Sequence, residues 1–171
     1  MFNLRLSGKK VALLLGVTLA ALCCAAFGNP TERPYHEQLW EWLQQHNYKH
    51  WADGPDSDGG FRTAESPHGE YVKVYVNRAA LNRSEDMPDG AVLVLENYSK
   101  RKKLISINVM QKSDGFDEKN GDWFYATYLP DGAVAKALSA KRGEIAFAGR
   151  VASCIECHAK AWDDDYAYFN D

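Results

Sequence analysis

The chain has 171 residues, with 20 Lys and Arg against 23 Asp and Glu, and a formal net charge of −3. That balance gives no electrostatic reason to expect nucleic acid or an anionic membrane surface as partner. The length suits one domain with a sizeable core.

Residues 1–28 read as an export signal. Arg5, Lys9 and Lys10 form a basic start, and residues 11–26 are an apolar run of about sixteen, short of the roughly twenty that span a bilayer. Ala26 and Gly28 offer small residues for cleavage. Lipoprotein processing is poorly supported, because Leu22 precedes Cys23 and Cys23 precedes Cys24. An uncleaved anchor stays open. Cleavage near Ala26 or Gly28 leaves a periplasmic domain over residues 29–171. It removes three basic and no acidic residues, leaving 17 against 23 and a net charge of −6. It also removes Cys23 and Cys24, so Cys154 and Cys157 are the cysteines that remain.

The domain opens with a helix. Thr31 is a candidate cap, Pro34 suits a first turn, and Tyr35, Leu39, Trp40 and Leu43 recur at helical spacing to about Asn47. A glycine-rich loop follows over 53–60. Residues 70–76 alternate, with Val72, Val74 and Val76 on one face and Tyr71, Lys73 and Tyr75 on the other. A short helical segment covers 77–82. Residues 91–98 form a strong strand, and Lys100, Arg101, Lys102 and Lys103 read as a solvated hairpin turn. Strands over 104–110 and 122–129 follow, the latter with Trp123, Phe124, Tyr125 and Tyr128. Residues 133–138 are compatible with a helix, and a last helix is expected over 150–160. The connections are too short for parallel crossovers. The fold class is therefore α+β, mainly β: an antiparallel sheet of four to five strands between an N-terminal and a C-terminal helix.

That last helix carries Cys154-Ile155-Glu156-Cys157-His158, a C-x-x-C-H sequence that reads as a c-type haem attachment site. Two thiols on one turn of helix can add to the two porphyrin vinyl groups. The adjacent histidine then lies beneath the iron as an axial ligand. A structural zinc site needs four ligands, and the other histidines are scattered. A redox dithiol usually follows an early strand, and no βαβ pattern surrounds this one. Export fits covalent haem attachment, which occurs outside the bacterial cytoplasm. The expected cofactor is one covalent haem c per chain, with His158 on the iron.

Thirteen residues follow His158, and none is Met or His. A distal ligand would have to come from Met87, Met110, His36, His46, His50 or His68, and no candidate stands out: the methionines read as packing, the helix-borne histidines as surface, and His68, between Pro67 and Gly69, as a turn residue. The default is a five-coordinate iron with an open distal face.

Several blocks then resemble the cytochrome P-460 family. They are residues 66–77 (Ser-Pro-His-Gly-Glu-Tyr-Val-Lys-Val-Tyr-Val-Asn), residues 87–98 (Met-Pro-Asp-Gly-Ala-Val-Leu-Val-Leu-Glu-Asn-Tyr), residues 121–125, Cys154 to His158, and residues 165–169. The resemblance spans roughly residues 35–169. It implies a mainly antiparallel β homodimer with one covalent haem. The family includes a hydroxylamine-oxidising enzyme and the related cytochrome c′-beta. It implies thioethers at Cys154 and Cys157 and a proximal ligand at His158. In the hydroxylamine-oxidising member a lysine on the strand after the Pro-Asp-Gly turn is cross-linked to the porphyrin. The corresponding residue here is Leu95, which has no nucleophile. Lys73, Lys100, Lys102 and Lys103 read as surface residues.

Leu95 and Leu93 share a strand face, and Phe124 or Tyr125 comes from a neighbouring strand, so the expected lining is apolar and aromatic. Phe61, Phe116 and Phe124 are candidate counterparts of the phenylalanines that cap the iron in cytochrome c′-beta. Glu96 alternates to the face opposite Leu95. An apolar pocket favours a small gaseous ligand such as nitric oxide or carbon monoxide over proton-coupled oxidation of hydroxylamine. Electron transfer, with an unknown redox partner, is the third reading.

Overall fold

Hydrophobic spacing changes from helical to alternating along the chain, and the elements follow it. A computed structural model describes residues 33–54, 59–64, 67–83, 85–139 and 143–168. The expected signal over 1–28 and the Thr31 cap lie outside them. Among the described residues no helix is long and apolar enough to cross a membrane.

Helix α1 (Tyr35–Gln45) starts after Pro34 and buries Leu39 and Leu43. Pro34 has no N–H to leave unsatisfied and its fixed φ is already compatible with a helix start. Two short strands, β1 (Ala52–Asp53) and β2 (Arg62–Thr63), both pair with β3 (Tyr71–Val76). Helix α2 (Arg78–Leu81) is capped by Asn77, whose side chain accepts from the Ala80 N–H at 3.0 Å. The long antiparallel strands β4 (Val92–Tyr98), β5 (Leu104–Lys112) and β6 (Trp123–Tyr128) continue the meander. A hairpin, β7 (Lys136–Ser139) and β8 (Gly143–Ala146), forms its own small sheet. Strand β9 (Ala148–Gly149) closes the edge against β6 and leads into α3 (Ala152–His158).

The main sheet therefore runs β1-β3-β4-β5-β6-β9, with β2 also on β3. The mainly antiparallel architecture with flanking helices agrees with the sequence reading. The expected helix over 133–138 does not form. Val134 bridges Tyr128, and the Ala135 N–H bonds the Thr127 carbonyl at 2.7 Å. Backbone partners offered by β6 override the weak helix propensity of an alanine-containing stretch. Gly132 fixes the preceding turn: its φ is +89°, and a Cβ there would collide with the Trp40 indole.

Alternation gives the sheet two different faces. On one, Val92, Val94, Ile107, Val109, Phe124, Ala126 and Tyr128 pack beneath Leu39 and Leu43 of α1 and Tyr48. On the other, Val76, Leu93, Trp123 and Tyr125 pack toward Met87, Cys154 and Ile155. Each buried leucine on α1 contributes about 1.5–3 kcal/mol of burial free energy, enough to hold a helix too short to persist alone in water. The opposite face is left to α3 and a cavity.

Candidate functional site

The cavity, about 580 Å³, lies between the sheet and α3. Val72 and Val74 of β3, Leu93 and Leu95 of β4, Met110 of β5 and Tyr125 of β6 line the sheet side, and Cys154, Cys157 and His158 line the helix side. Parity explains the first set. Val74 is opposite Leu95 and Leu95 opposite Asn108 in one cross-strand row, and Val76, Leu93, Met110 and Tyr125 form the next, so one face of the sheet carries both rows.

Helix α3 is aimed by the sheet edge. Gly149 pairs with Tyr125 and adopts φ +96°, turning the chain off β9. The Val151 carbonyl then accepts from the N–H groups of Cys154 and Ile155, each at 3.0 Å. Cys154 and Cys157, three residues apart, fall on one helical face, and neither is in a disulfide. Burial, and secondarily the neighbouring Cys157, push the Cys154 thiol up to about 11, so it stays protonated at neutral pH.

His158 is oriented from behind. Its Nδ1–H donates to the Tyr166 carbonyl at 2.6 Å, which leaves the Nε2 lone pair for a metal. Burial lowers its pKa, partly offset by that bond, so the ring is neutral and competent as a ligand. The carbonyl is held by a buried hub at Asp165. The Asp165 carboxylate takes both oxygens to Lys112 Nζ, at 2.7 and 2.8 Å, and accepts the Met87 N–H at 2.8 Å. The Asp165 carbonyl accepts from Trp123 Nε1 at 2.8 Å. Asp165 and Tyr166 both have positive φ, +48° and +64°, a strained pair that the hub holds in place.

The residues fit a porphyrin. The wall is mainly apolar, with Arg62, His68 and Asn108 among its polar members; two sulfurs stand one turn apart, and an imidazole has a fixed tautomer beside them. The Tyr125 hydroxyl is buried in the wall with no hydrogen-bond partner in the protein, as expected where a bound group completes the site. Among the described residues no cluster of three or more His, Cys, Asp or Glu is placed to hold a metal ion directly.

The model of the Cytochrome P460 family matches residues 45–169. The chain belongs to the cytochrome P460 family. It is accordingly a haem-binding cytochrome. A search of curated proteins finds no match.

Within this family member, Cys154, Cys157, His158 and Leu95 all line one cavity. Phe124 does not. It packs on the α1 face, its ring centroid 4.9 Å from Tyr35 and 5.5 Å from Phe116, and its neighbour Tyr125 takes the cavity position. Of the two adjacent aromatics, strand parity selects the odd-numbered one. Phe61 packs edge-on to Tyr98 and Tyr71, and Phe116 lies under Arg150, so none of the three phenylalanines caps this cavity. Met110 lines the cavity, whereas Met87 is core and His46 stacks on Trp42 at 4.4 Å.

His68 is the residue that sequence reasoning undervalued. It lines the cavity with its ring centroid 6.4 Å from that of His158. Burial, and secondarily His158, lower its pKa, which keeps it neutral at pH 7. The signal was Gly69: a Cβ there would stand 2.7 Å from the Tyr98 carbonyl, so only glycine lets the loop lie against the β4 end and turn His68 inward.

Glu96 faces away from the cavity, 1% exposed. It accepts hydroxyls from Tyr98 at 2.6 Å, Tyr48 at 2.8 Å and Tyr75 at 3.2 Å, with Lys49 at 3.3 Å. Burial raises its pKa, but the bonds from Tyr98 and Tyr48 and the Lys49 charge outweigh that and lower it overall.

Proposed function

We propose that this cytochrome P460 family member is an exported, periplasmic, mono-haem c-type cytochrome whose five-coordinate haem binds small gaseous ligands, nitric oxide above all. Cys154 and Cys157 hold the haem through thioethers, and His158 supplies the proximal nitrogen. When bound, haem iron supplies an open coordination position for a diatomic ligand. Val74, Leu93, Leu95 and Met110 would give the bound group an apolar surround. Homodimerisation is part of the proposal and rests on the family resemblance.

The observation that carries the reading is Leu95. It stands in the cavity wall, opposite Val74 and Asn108, where the resemblance places a cross-linking lysine. The adjacent carboxylate, Glu96, points into the tyrosine cluster on the other face. The apolar stretch Val74, Leu93, Leu95 and Met110 suits a neutral ligand better than an oxidation that must move protons.

The test is anaerobic titration of the ferrous protein with nitric oxide and carbon monoxide, read by absorption. A high-spin spectrum without a strong red shift of the Soret band, changing on each addition, is the expected result. A low-spin spectrum indifferent to both gases overturns it in favour of an electron carrier. Replacing Cys154 and Cys157 by Ser must release haem under denaturing extraction, and retained haem would refute the thioether assignment.

His68 favours a second reading. A neutral imidazole in the wall is a candidate proton acceptor, which hydroxylamine oxidation requires. Steady hydroxylamine turnover with an oxidant dye, lost in His68→Phe, would establish that reading over gas binding.

A further inference from the structure

The run Lys100-Arg101-Lys102-Lys103 stands out in a chain of net charge −3. The turn that presents it is rigid. The Ser99 N–H bonds the Lys103 carbonyl at 2.9 Å, the Lys102 N–H bonds the Ser99 carbonyl at 2.8 Å, and the Lys103 N–H bonds Ser99 Oγ at 3.2 Å. Lys102 adopts φ +56°, a conformation that costs a lysine on the order of 1 kcal/mol and that glycine or asparagine would take more cheaply. Its ammonium lies 4.7 Å from the Phe61 ring centroid, and Lys73 approaches the same ring at 4.8 Å. Glu70 pairs with Lys100 at 3.4 Å, with both side chains well exposed, and offsets little of this charge.

The patch has an apolar floor and lies at the door of the cavity. Ile105 is 45% exposed and Phe61 36%. An open groove of about 650 Å³ runs past Ser99, Lys100, Arg101 and Ile105. Its far wall, Ala64 and Pro67, is also wall of the cavity that Cys154 and His158 line. Exposed cations around a small apolar centre, next to a redox group, make the kind of surface that steers an oppositely charged protein into a brief encounter.

We infer that the Ser99–Lys103 turn and the groove beside it are the docking surface for a small acidic electron-transfer protein that reduces the haem. The inference rests on the haem reading above. The step moves one electron: the partner's iron–sulfur or flavin group is oxidised by one electron and ferric iron becomes ferrous, with no bond made or broken. Charge complementarity selects the partner, and the shared wall places its cofactor near the haem.

The experiment is stopped-flow reduction of the full ferric holoprotein by a reduced plant-type [2Fe–2S] ferredoxin, an acidic carrier. At low ionic strength the second-order rate is expected to fall about tenfold in Lys100→Glu/Lys103→Glu. Wild type and variant are expected to converge near 1 M salt, where the Debye length is about 3 Å. Lys119→Glu, an exposed reversal on another segment, keeps the wild-type rate. Equal rates for wild type and the double variant at low salt, a wild-type rate that does not fall with salt, or an equal loss in Lys119→Glu would overturn the inference. Wild-type binding to anionic vesicles that is lost in Lys100→Glu/Lys103→Glu, with ferredoxin kinetics unchanged from wild type, overturns it as well. Carbon monoxide binding to the ferrous variants reports the haem reading separately, since these exposed side chains do not line the cavity.

Discussion

Asp165→Asn tests whether the His158 ring is aimed from the buried hub behind it. Asp165 is 7% exposed, and its partner Lys112 has a side chain 12% exposed. The substitution preserves shape and one acceptor for the Met87 N–H, but removes the charge that two short contacts give Lys112. Removing one partner of a buried pair costs about 3–5 kcal/mol, most of it from the charge left behind. Asparagine keeps one oxygen for the ammonium, so the expected loss is near the lower end, about 3 kcal/mol. For a domain of this size that corresponds to a fall in melting temperature of roughly 10 °C. Thermal unfolding of the holoprotein, followed by circular dichroism, measures it. Adding Lys112→Met removes the stranded cation and should recover most of the loss. Because Tyr166 follows Asp165, the single variant should also weaken the haem-region dichroism below the transition, as the His158 ring loses its fixed acceptor. A single variant within about 1 kcal/mol of wild type, or a double variant no more stable than the single, would refute the reasoning.

Leu95→Lys puts an amine in the cavity wall; a red-shifted ferrous Soret band and a haem peptide cross-linked through residue 95, read by mass spectrometry, are expected, and an unchanged spectrum with no such peptide argues against the register. Glu96→Gln weakens three hydroxyl contacts to a buried carboxylate and should cost about 1.5–3 kcal/mol at pH 7. The lowered pKa of Glu96 means that its contribution is present above its ordinary value of 4.5 and is lost as pH falls through the lower folded value, so the stability gap should close on acidification, as urea unfolding at pH 7 and pH 3 will show. Gly69→Ala forces a Cβ to 2.7 Å from the Tyr98 carbonyl; a loss of about 1–3 kcal/mol and an altered carbon monoxide association rate, as His68 moves, are expected. Leu43→Ala, at a fully buried α1 position, should cost about 2–5 kcal/mol by chemical unfolding and leave the haem spectrum unchanged.

β3 and α1 were legible because each has a strong period: Val72, Val74 and Val76 alternate, and Leu39 and Leu43 are one helical turn apart; β4, β5 and β6 were legible as apolar and aromatic runs between turns, and α3 from the motif it carries. The short strands were not. Residues 52–53, 62–63 and 148–149 are too brief for any period, and backbone partners on β3 and β6 define them. Cys154, Cys157 and His158 in the cavity wall were legible because C-x-x-C-H is a local motif. The walls of the cavity depend on long-range register, and local sequence fixes register only through parity. Parity placed Leu95 and Glu96 on opposite faces, but two consecutive aromatics, Phe124 and Tyr125, gave no way to choose the inward one. His68 was weighed and read as a turn residue for a different reason. Its inward turn depends on a close backbone approach at Gly69, and a Pro-His-Gly sequence resembles an ordinary surface turn.

Parity also decides the chemistry. In β4, a slip of one residue would exchange Leu95 for Glu96 and put a carboxylate into a mainly apolar stretch of the cavity wall. Three features prevent it. Val74 and Asn108 flank Leu95 in continuous antiparallel ladders on both sides. The one irregularity of the β4–β5 pairing falls between Asn97 and Tyr98, beyond both residues, so it cannot change which of them faces inward. On the far face Glu96 is claimed by Tyr48, Tyr75 and Tyr98, and a slip would leave those hydroxyls facing leucine while stranding a carboxylate against Val74. The tyrosine cluster, remote from the cavity, is therefore a device that keeps the acid out of it.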